Sequence, residues 1–183
     1  NGQEPGDIKV QDVDGNGVIT TDDRIIYSQR PDVTFGFNNT FNYKGFDLSV
    51  FLYARLGQWI AYDYNTTYRI NALENGGNVD YWTPENPTNA FPRPNKSKSY
   101  TQVTYYSTLK YEDGSFFKIR DITLGYTFKP ELLKHLNLSK LRVYATAKNF
   151  FTFSKIDNYD PEQGGSISFP MTKQLVFGLN VEF

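Results

Sequence analysis

The final stretch of the chain, residues 171–183, alternates apolar and polar side chains and constrains the fold more than any other segment. Its odd-numbered positions are apolar except Lys173, and its even-numbered positions are polar or small except Val176. Successive side chains of a β-strand point to opposite faces, so the pattern predicts a strand with one apolar face. The stretch is longer than the roughly 5–6 residues usual for a soluble strand and matches the roughly 9–11 that cross a bilayer at a tilt.

Four further segments have the same two-residue period, and we expect strands at 33–43, 46–57, 115–128 and 141–153. Lys44 and Gly45 separate the first two, as in a hairpin with a two-residue turn. These first two segments each keep one apolar face throughout. The sequence therefore predicts an all-β chain of antiparallel strands from a transmembrane β-barrel, with the apolar face toward lipid and the polar face toward the lumen.

The composition agrees with a barrel and leaves little material for catalysis. Aromatic residues make up 17% of the chain, yet its mean hydropathy is −0.55. No segment approaches the roughly 18 apolar residues of a membrane helix, whereas barrels alternate apolar and polar residues and place aromatics at both interfaces. The lack of cysteine excludes disulfides and thiolate zinc sites, and the net charge of −1 gives no reason to expect nucleic acid.

Segment 12–23, D-V-D-G-N-G-V-I-T-T-D-D, fits a twelve-residue calcium loop. Calcium takes oxygen ligands, and this spacing gathers short carboxylate and amide side chains round one point while Gly17 makes the sharp turn. The final ligand is Asp rather than Glu, which predicts modest affinity. The same residues would also make an Asx-rich turn without metal. The predicted calcium ligands are Asp12, Asp14, Asn16, the carbonyl of Val18, and Asp23.

The connections between the predicted strands differ in length in a regular way. The short ones, 44–45 and 129–140, fall at one end of the strands, and the long ones, 1–32, 58–114 and 154–170, fall at the other. Periplasmic turns of outer-membrane barrels are short and extracellular loops are long. We therefore expect the three long segments outside the cell. A short helix is expected near 67–74, and His135 should face solvent in the periplasmic turn.

Several motifs are similar to those of a known family. They are F-G-F-N-N-T-F-N-Y-K-G-F-D-L-S-V-F at 35–51, W-T-P-E-N-P at 82–87, Y-E-D-G-S-F-F-K-I-R-D-I-T-L-G-Y-T-F at 111–128, A-K-N-F-F-T-F at 147–153 and I-D-N-Y-D-P-E-Q-G-G at 156–165. Together they resemble the SusC/RagA family of TonB-linked outer-membrane transporters from Bacteroidetes. The resemblance spans nearly the whole chain.

The resemblance implies a domain plan and a function. The chain would be the C-terminal part of a longer protein and would supply the last five strands of a barrel of about 22 strands with a plugged lumen. Residues 33–57 would form one barrel hairpin, and 115–183 the last three strands, at 115–128, 141–153 and 171–183. The family imports oligosaccharides or peptides across the outer membrane, together with a SusD-like surface lipoprotein. TonB would act through an N-terminal region absent from this sequence.

Substrate contacts are expected from aromatic and polar loop residues, because rings stack on sugar faces and polar groups bind their edges. The same residues would serve equally to pack the loops on one another. On strand 115–128, Lys118 and Arg120 would fall on the apolar face, where they would meet lipid phosphates unless a bulge near Arg120 shifts the register. The predicted substrate residues are Trp59, Tyr62, Tyr64, Trp82, Arg93, Tyr159 and Asp160.

Two other functions also fit part of the sequence. A secreted soluble β-sandwich that binds carbohydrate and has a dockerin-like calcium loop would account for the aromatics and for the absence of catalytic groups. It would bury Phe177, Leu179 and Val181 under a second sheet, whereas a barrel would expose them to lipid. A glycoside hydrolase would need two carboxylates across a cleft, and Asp160 and Glu162 form such a pair only within a turn. We therefore expect no enzyme.

Overall fold

The computed structural model describes residues 4–61, 80–93, 107–156, 159–166 and 168–183. Within these ranges, no helix is long and apolar enough to cross a membrane. The helical segments are short: α1 (Ser107–Lys110), α2 (Pro130–Leu133) and 3-10 turns at Thr21–Asp23, Lys134–Leu136 and Pro161–Gln163. The strands are β1 (Val33–Tyr43), β2 (Phe46–Leu56), β3 (Trp59–Ala61), β4 (Tyr111–Asp113), β5 (Phe116–Thr127), β6 (Lys140–Ser154) and β7 (Gln174–Glu182).

Five of the strands form one antiparallel sheet in the order β1-β2-β5-β6-β7. The predicted all-β antiparallel fold is therefore confirmed. The last strand is shorter than the predicted 171–183. The connections at 44–45 and 128–139 lie at one end of the sheet, called here the turn end. The opposite end, where β2 and β6 finish and β5 begins, is called the loop end.

One face of the sheet, the apolar face, is hydrophobic across all five strands because the pairing places apolar residues opposite one another. Leu48 of β2 pairs with Leu124 of β5, which pairs with Ala145 of β6, and Ala145 pairs with Phe177 of β7. Each strand thus contributes its apolar side to the same surface.

Nothing in the described part of the chain covers this apolar face at β7. Phe177 is 74% exposed, Leu179 is 68% exposed and Val181 is 41% exposed. A soluble sandwich would have buried these side chains between two sheets. The exposure therefore favours a face that meets lipid over one that packs inside a domain.

The opposite, polar face is held together by pairs between strands. Arg142 of β6 reaches over β5 to Asp47 of β2, with Nε donating to Oδ2 at 2.8 Å and Nη2 donating to Oδ1 at 2.5 Å. Gly125 lies beneath this pair, and a Cβ built there would stand 2.5 Å from Arg142 Nη2. The hydroxyls of Thr123 and Thr146 are 2.9 Å apart. The two faces therefore differ as the alternating sequence predicts.

A β-bulge in β5, one of the two alternatives expected for this strand, determines the position of Lys118. Asp121 pairs with Phe51, but Ile119 pairs with the next residue, Leu52, so Arg120 is an extra residue in the ladder. A shift of one residue moves every side chain beyond it to the other face. Lys118 therefore lies on the polar face and is fully buried, so of the two expected positions the structure has the one produced by a bulge, and Lys118 does not meet lipid phosphates.

The two ends of the long segment 58–114 pair with each other as short strands. The sequence did not predict these strands, because the segment has no sustained alternation. β3 and β4 form a two-stranded sheet, with Ile60 opposite Glu112. Gln58 is buried, and its Nε2 donates to the carbonyl of Gly114 at 2.7 Å. Ile60 and Ile156 form a small buried cluster at the loop end. The helix expected near 67–74 lies outside the described residues. His135 is exposed, as expected.

Candidate functional site

Lys118 is the centre of a buried ionic cluster at the loop end of the polar face. Its Nζ lies 2.7 Å from Asp160 Oδ2 and 2.8 Å from Glu162 Oε2. Arg120, the bulge residue, lies 3.1 Å from Glu162 Oε1 through its Nη1. Lysine is almost never fully buried unless it is paired, and here two carboxylates satisfy it. The cluster joins strand β5 to the D-P-E turn more than forty residues later.

The D-P-E turn is shaped by its own residues. Pro161 begins a 3-10 turn, and Asp160 caps it by accepting a hydrogen bond from the Glu162 amide at 3.0 Å. Gly164 ends the turn with φ +67, a left-handed conformation that suits glycine. Pro161 is buried. Because cap, proline and ion pairs all act on one short segment, the turn has a defined position over the polar face.

A groove of about 310 Å³ lies between this turn and the start of β7. Tyr159 packs against the cluster of Ile60 and Ile156, and both Tyr159 and Ile156 line the groove. The volume lies near the lower end of the roughly 300–1,000 Å³ typical of small-molecule sites. The residues that line the groove are Asn149, Thr152, Ser154, Ile156, Tyr159, Asp160, Met171 and Lys173.

Two of the predicted substrate residues, Tyr159 and Asp160, therefore lie together in this groove. Both oxygens of Asp160 are already engaged with Lys118. Trp59, by contrast, packs on Tyr27, with ring centroids 4.5 Å apart, and Tyr27 stacks on Tyr111 at 5.2 Å. Trp59 is 37% exposed, so it is partly covered by these neighbours.

Two other predicted substrate residues join loop segments to each other. Arg93 forms ion pairs with Glu4 and, through Nε at 3.0 Å, with Asp7. Its amide donates to the carbonyl of Gly6 at 2.9 Å, and the Trp82 ring lies against the same glycine. The hydrogen bond that Arg93 donates to Glu4, together with the charges of the Glu4 and Asp7 carboxylates, raises the pKa of Arg93. Tyr62 and Tyr64 lie outside the described residues.

The predicted calcium loop brings three carboxylates together. One ligand oxygen from each of Asp12, Asp14 and Asp23 lies within 4.8 Å of the others. Calcium–oxygen distances of about 2.3–2.6 Å place opposite ligands roughly 5 Å apart, so the three carboxylates fit that ion. Asn16 lies in the same turn, and its Nδ2 donates to Asp14 Oδ2 at 2.7 Å. Gly17 has φ +85, as the sharp turn requires.

Backbone amides hold the carboxylates of this loop in place. Asp12 accepts from the amides of Gly15 and Gly17, each at 2.7 Å. Asp23 accepts from the amides of Thr20 and Val13, each at 2.7 Å. These bonds, that from Thr20 most of all, lower the pKa of Asp23 and favour its charged form. The backbone of the loop therefore favours the ionised form of Asp23.

The sequence analysis identified neither Lys118 nor the groove residues other than Tyr159 and Asp160 as part of a site. Thr152 follows the alternation of segment 141–153, but nothing in its spacing marks it as a lining residue. Asn149 has a left-handed φ of +58, a conformation that asparagine tolerates better than most residues. The pairing of Lys118 with Asp160 and Glu162 depends on a bulge and on contacts between residues distant in sequence. No local sequence pattern predicts either feature.

Comparison with known proteins shows consistent similarities. No protein-family model matches the chain. The chain is 31% identical over 203 residues to TonB-dependent receptor P3 of Formosa agariphila, across 98% of this chain and 19% of that protein. It is also 31% identical over 181 residues to TonB-dependent receptor SusC of Bacteroides thetaiotaomicron, across 94% of this chain and 17% of that protein.

Solved structures give the same picture. The RagAB peptide transporter superposes with a TM-score of 0.67 at 26% identity, over 87% of this chain and 18% of that one. The RagAB peptide importer in the closed-closed state superposes with a TM-score of 0.68 at 27% identity, over 94% and 20%. The chain spans about a fifth of the length of the relatives that it matches.

Proposed function

The chain belongs to the SusC/RagA family of TonB-dependent receptors, and from this premise we propose that it forms barrel wall in an outer-membrane importer of oligosaccharides or peptides. The observation that carries the proposal is the difference between the two faces of one sheet. The apolar face is continuous over five strands and is exposed at Phe41 of β1, Leu124 of β5 and Phe177 of β7, whereas ion pairs and hydroxyl contacts link the strands on the polar face. Lipid would cover the first, and the second would line the lumen.

The proposal includes a direction for the strands and a partner. The loop end, with segments 1–32, 58–114 and 154–170, would face outside the cell, and the turn end would face the periplasm. A SusD-like surface lipoprotein would act with the loop end, as the family resemblance implies. TonB would act through parts of the longer protein that lie outside this sequence.

Transport fits the chemistry of the described residues better than catalysis does. Asp160 and Glu162, the carboxylates that a hydrolase would need, both pair with Lys118. A general acid must be free to transfer a proton to the substrate, whereas both of these carboxylates accept hydrogen bonds from a buried lysine. The groove would therefore bind a passing molecule without transforming it.

A deletion strain tests the import function. We expect loss of the full-length gene to abolish growth on one class of sole carbon source, when single polysaccharides and a protein hydrolysate are compared. Complementation should restore that growth, and detergent extraction of outer membranes should recover the protein together with a surface lipoprotein. Recovery of the protein in the soluble fraction would contradict the barrel. Normal growth on every source would contradict the import function.

We also propose that the 12–23 loop binds calcium through Asp12, Asp14, Asn16, the Val18 carbonyl and Asp23. The close approach of three carboxylates supports this, because their charges repel one another without a cation. Bound calcium would add stability in proportion to the logarithm of its concentration above Kd. Calcium should protect this loop from protease in the wild-type protein but not in Asp12→Asn.

Asp22→Asn provides the matched control, because Asp22 is an exposed acid in the same 3-10 turn but not in the predicted ligand set. It should retain the calcium protection. Equal protease sensitivity of the wild-type loop with calcium and with chelator would refute the calcium proposal and would leave the transport proposal unchanged.

A further inference from the structure

The groove beside the D-P-E turn contains one acidic and one basic lining residue, and only the acid is paired among the described residues. Asp160 is held by Lys118 at 2.7 Å. Lys173, on the other side, has no carboxylate within ion-pair distance in the described part of the chain. Together with Arg120 and Glu162, the groove and its supporting cluster contain three cations against two carboxylates. The excess positive charge is at Lys173.

The groove is a built feature with several fixed walls. The fully buried Lys118 anchors the turn that contains Asp160. Asn149, in its left-handed conformation, donates from Nδ2 to the carbonyl of Thr172 at 3.1 Å and so holds the residue next to Lys173. On the other side of Lys173, Gln174 pairs with Lys148 at the start of β7. The backbone of Lys173 is therefore held at both neighbouring residues, which lowers the entropy cost of using this lysine to bind a ligand.

The two hydroxyl groups of the groove differ in whether they already form hydrogen bonds within the protein. Ser154 both donates to and accepts from the backbone of Ile156, at 2.8 and 3.2 Å, so its hydroxyl is occupied. Thr152 has no such bond in the described residues, and its side chain lies beside the groove. Tyr159 and Met171 provide apolar surface. One charged donor, one hydroxyl and an apolar wall suit a compact polar end group better than an extended chain.

We propose that this groove binds the carboxylate-bearing end group of the imported molecule. The carboxylate would pair with Lys173, the Thr152 hydroxyl would donate to it, and the ring of Tyr159 would cover the adjacent carbon atoms. This inference rests on the proposed import function and narrows it to acidic substrates. The same chemistry has two sources, a uronic acid residue of a glycan and the C-terminal carboxylate of a peptide.

Binding to the purified full-length transporter in detergent tests the proposal. The probes are trigalacturonic acid with its methyl ester, and trialanine with its C-terminal amide, measured by calorimetry at low salt. We expect at least one free acid to bind about tenfold more tightly than its neutral counterpart, and Lys173→Gln to remove that preference. Preference for the sugar acid alone would identify a glycan importer, and preference for the peptide acid alone would identify a peptide importer.

A matched control separates a local role of Lys173 from a general effect of charge. Lys140 is exposed at the turn end and pairs with Glu182 at 3.0 Å, so Lys140→Gln removes the same charge far from the groove. That variant should keep the preference for the acid. Equal affinities for acid and neutral probe, absence of binding by both acids, or an unchanged preference in Lys173→Gln would overturn the inference. Growth supported by the transporter in those cases would leave the import function standing.

Discussion

Gly125 shows how a single residue without a side chain permits a contact between strands that are not neighbours. Arg142 and Asp47 belong to β6 and β2, and their side chains meet only by lying flat over the backbone of β5. A methyl group at Gly125 would occupy that space. Glycine normally weakens a strand, so its presence here is explained by the close approach above it.

We predict that Gly125→Ala separates this ion pair and lowers stability by roughly 1 kcal/mol, the value of a partly exposed charged contact. The measurement is the temperature at which the purified barrel loses its compact mobility on gels. Gly36→Ala is the control, because a Cβ there would only reach ordinary contact with Phe51 at 3.7 Å. If both variants melt alike, the close approach at Gly125 has no energetic importance.

Lys118 is the second residue whose environment leads to a prediction. Replacement by methionine would leave Asp160, whose side chain is 14% exposed, without its cation, and would leave Glu162, 10% exposed, with Arg120 alone. Breaking a buried pair in this way costs about 3–5 kcal/mol. We expect Lys118→Met to release the D-P-E turn, seen as faster hydrogen exchange at residues 160–166.

Lys148→Met is the control for this experiment. Lys148 lies on the same sheet, but its contact with Asp121 is 3.6 Å long and both side chains are well exposed. Such a pair contributes roughly 0–1 kcal/mol. Exchange in the D-P-E turn should therefore remain at the wild-type rate in Lys148→Met. A turn that stays protected in Lys118→Met would show that the buried pairs do not hold it.

At the scale of elements, strand β5 depends on its bulge. Deletion of Arg120 would restore simple alternation and turn Lys118 to the apolar face. A charge on that face is expensive in lipid, so we expect the deletion variant to fail to assemble in the outer membrane. Arg120→Ala keeps the extra residue and should assemble. The check is the fraction of protein with heat-modifiable gel mobility, and normal assembly of the deletion variant would exclude a register role for the bulge.

The same strand shows what local sequence can and cannot predict. Alternation located β1 and β2 to within a residue, because the two-residue period is set by the backbone of each strand alone. The bulge at Arg120 depends on the partner strand. The alternation of the sequence was compatible both with a regular strand and with a bulge at this position. β3 and β4 contain three residues each, too few for a period to be visible. The groove arises from residues that meet only once the sheet has formed.

At the scale of the whole molecule, one face of the sheet is apolar and the other polar. Arginine substitutions at adjacent residues of one strand should therefore have opposite effects on membrane assembly. Val176 and Phe177 are both exposed, at 41% and 74%, but they lie on the polar and apolar faces respectively. Arginine on the lipid side costs about 2–4 kcal/mol at the membrane midplane. We therefore expect Phe177→Arg to reduce outer-membrane assembly strongly and Val176→Arg to be tolerated. Equal defects in both variants would contradict the assignment of lipid to the apolar face.

The ion pair that spans β5 also has an evolutionary consequence. Residues that contact each other tend to change together, and most such pairs in a sheet link neighbouring strands. Asp47 and Arg142 instead belong to strands separated by a third. Among homologous sequences, loss of either charge should accompany loss of the other and should release the middle position to accept residues larger than glycine. Positions 47, 125 and 142 would thus change together during evolution, while residues of the apolar face on the other side of the sheet would be replaced by one another independently.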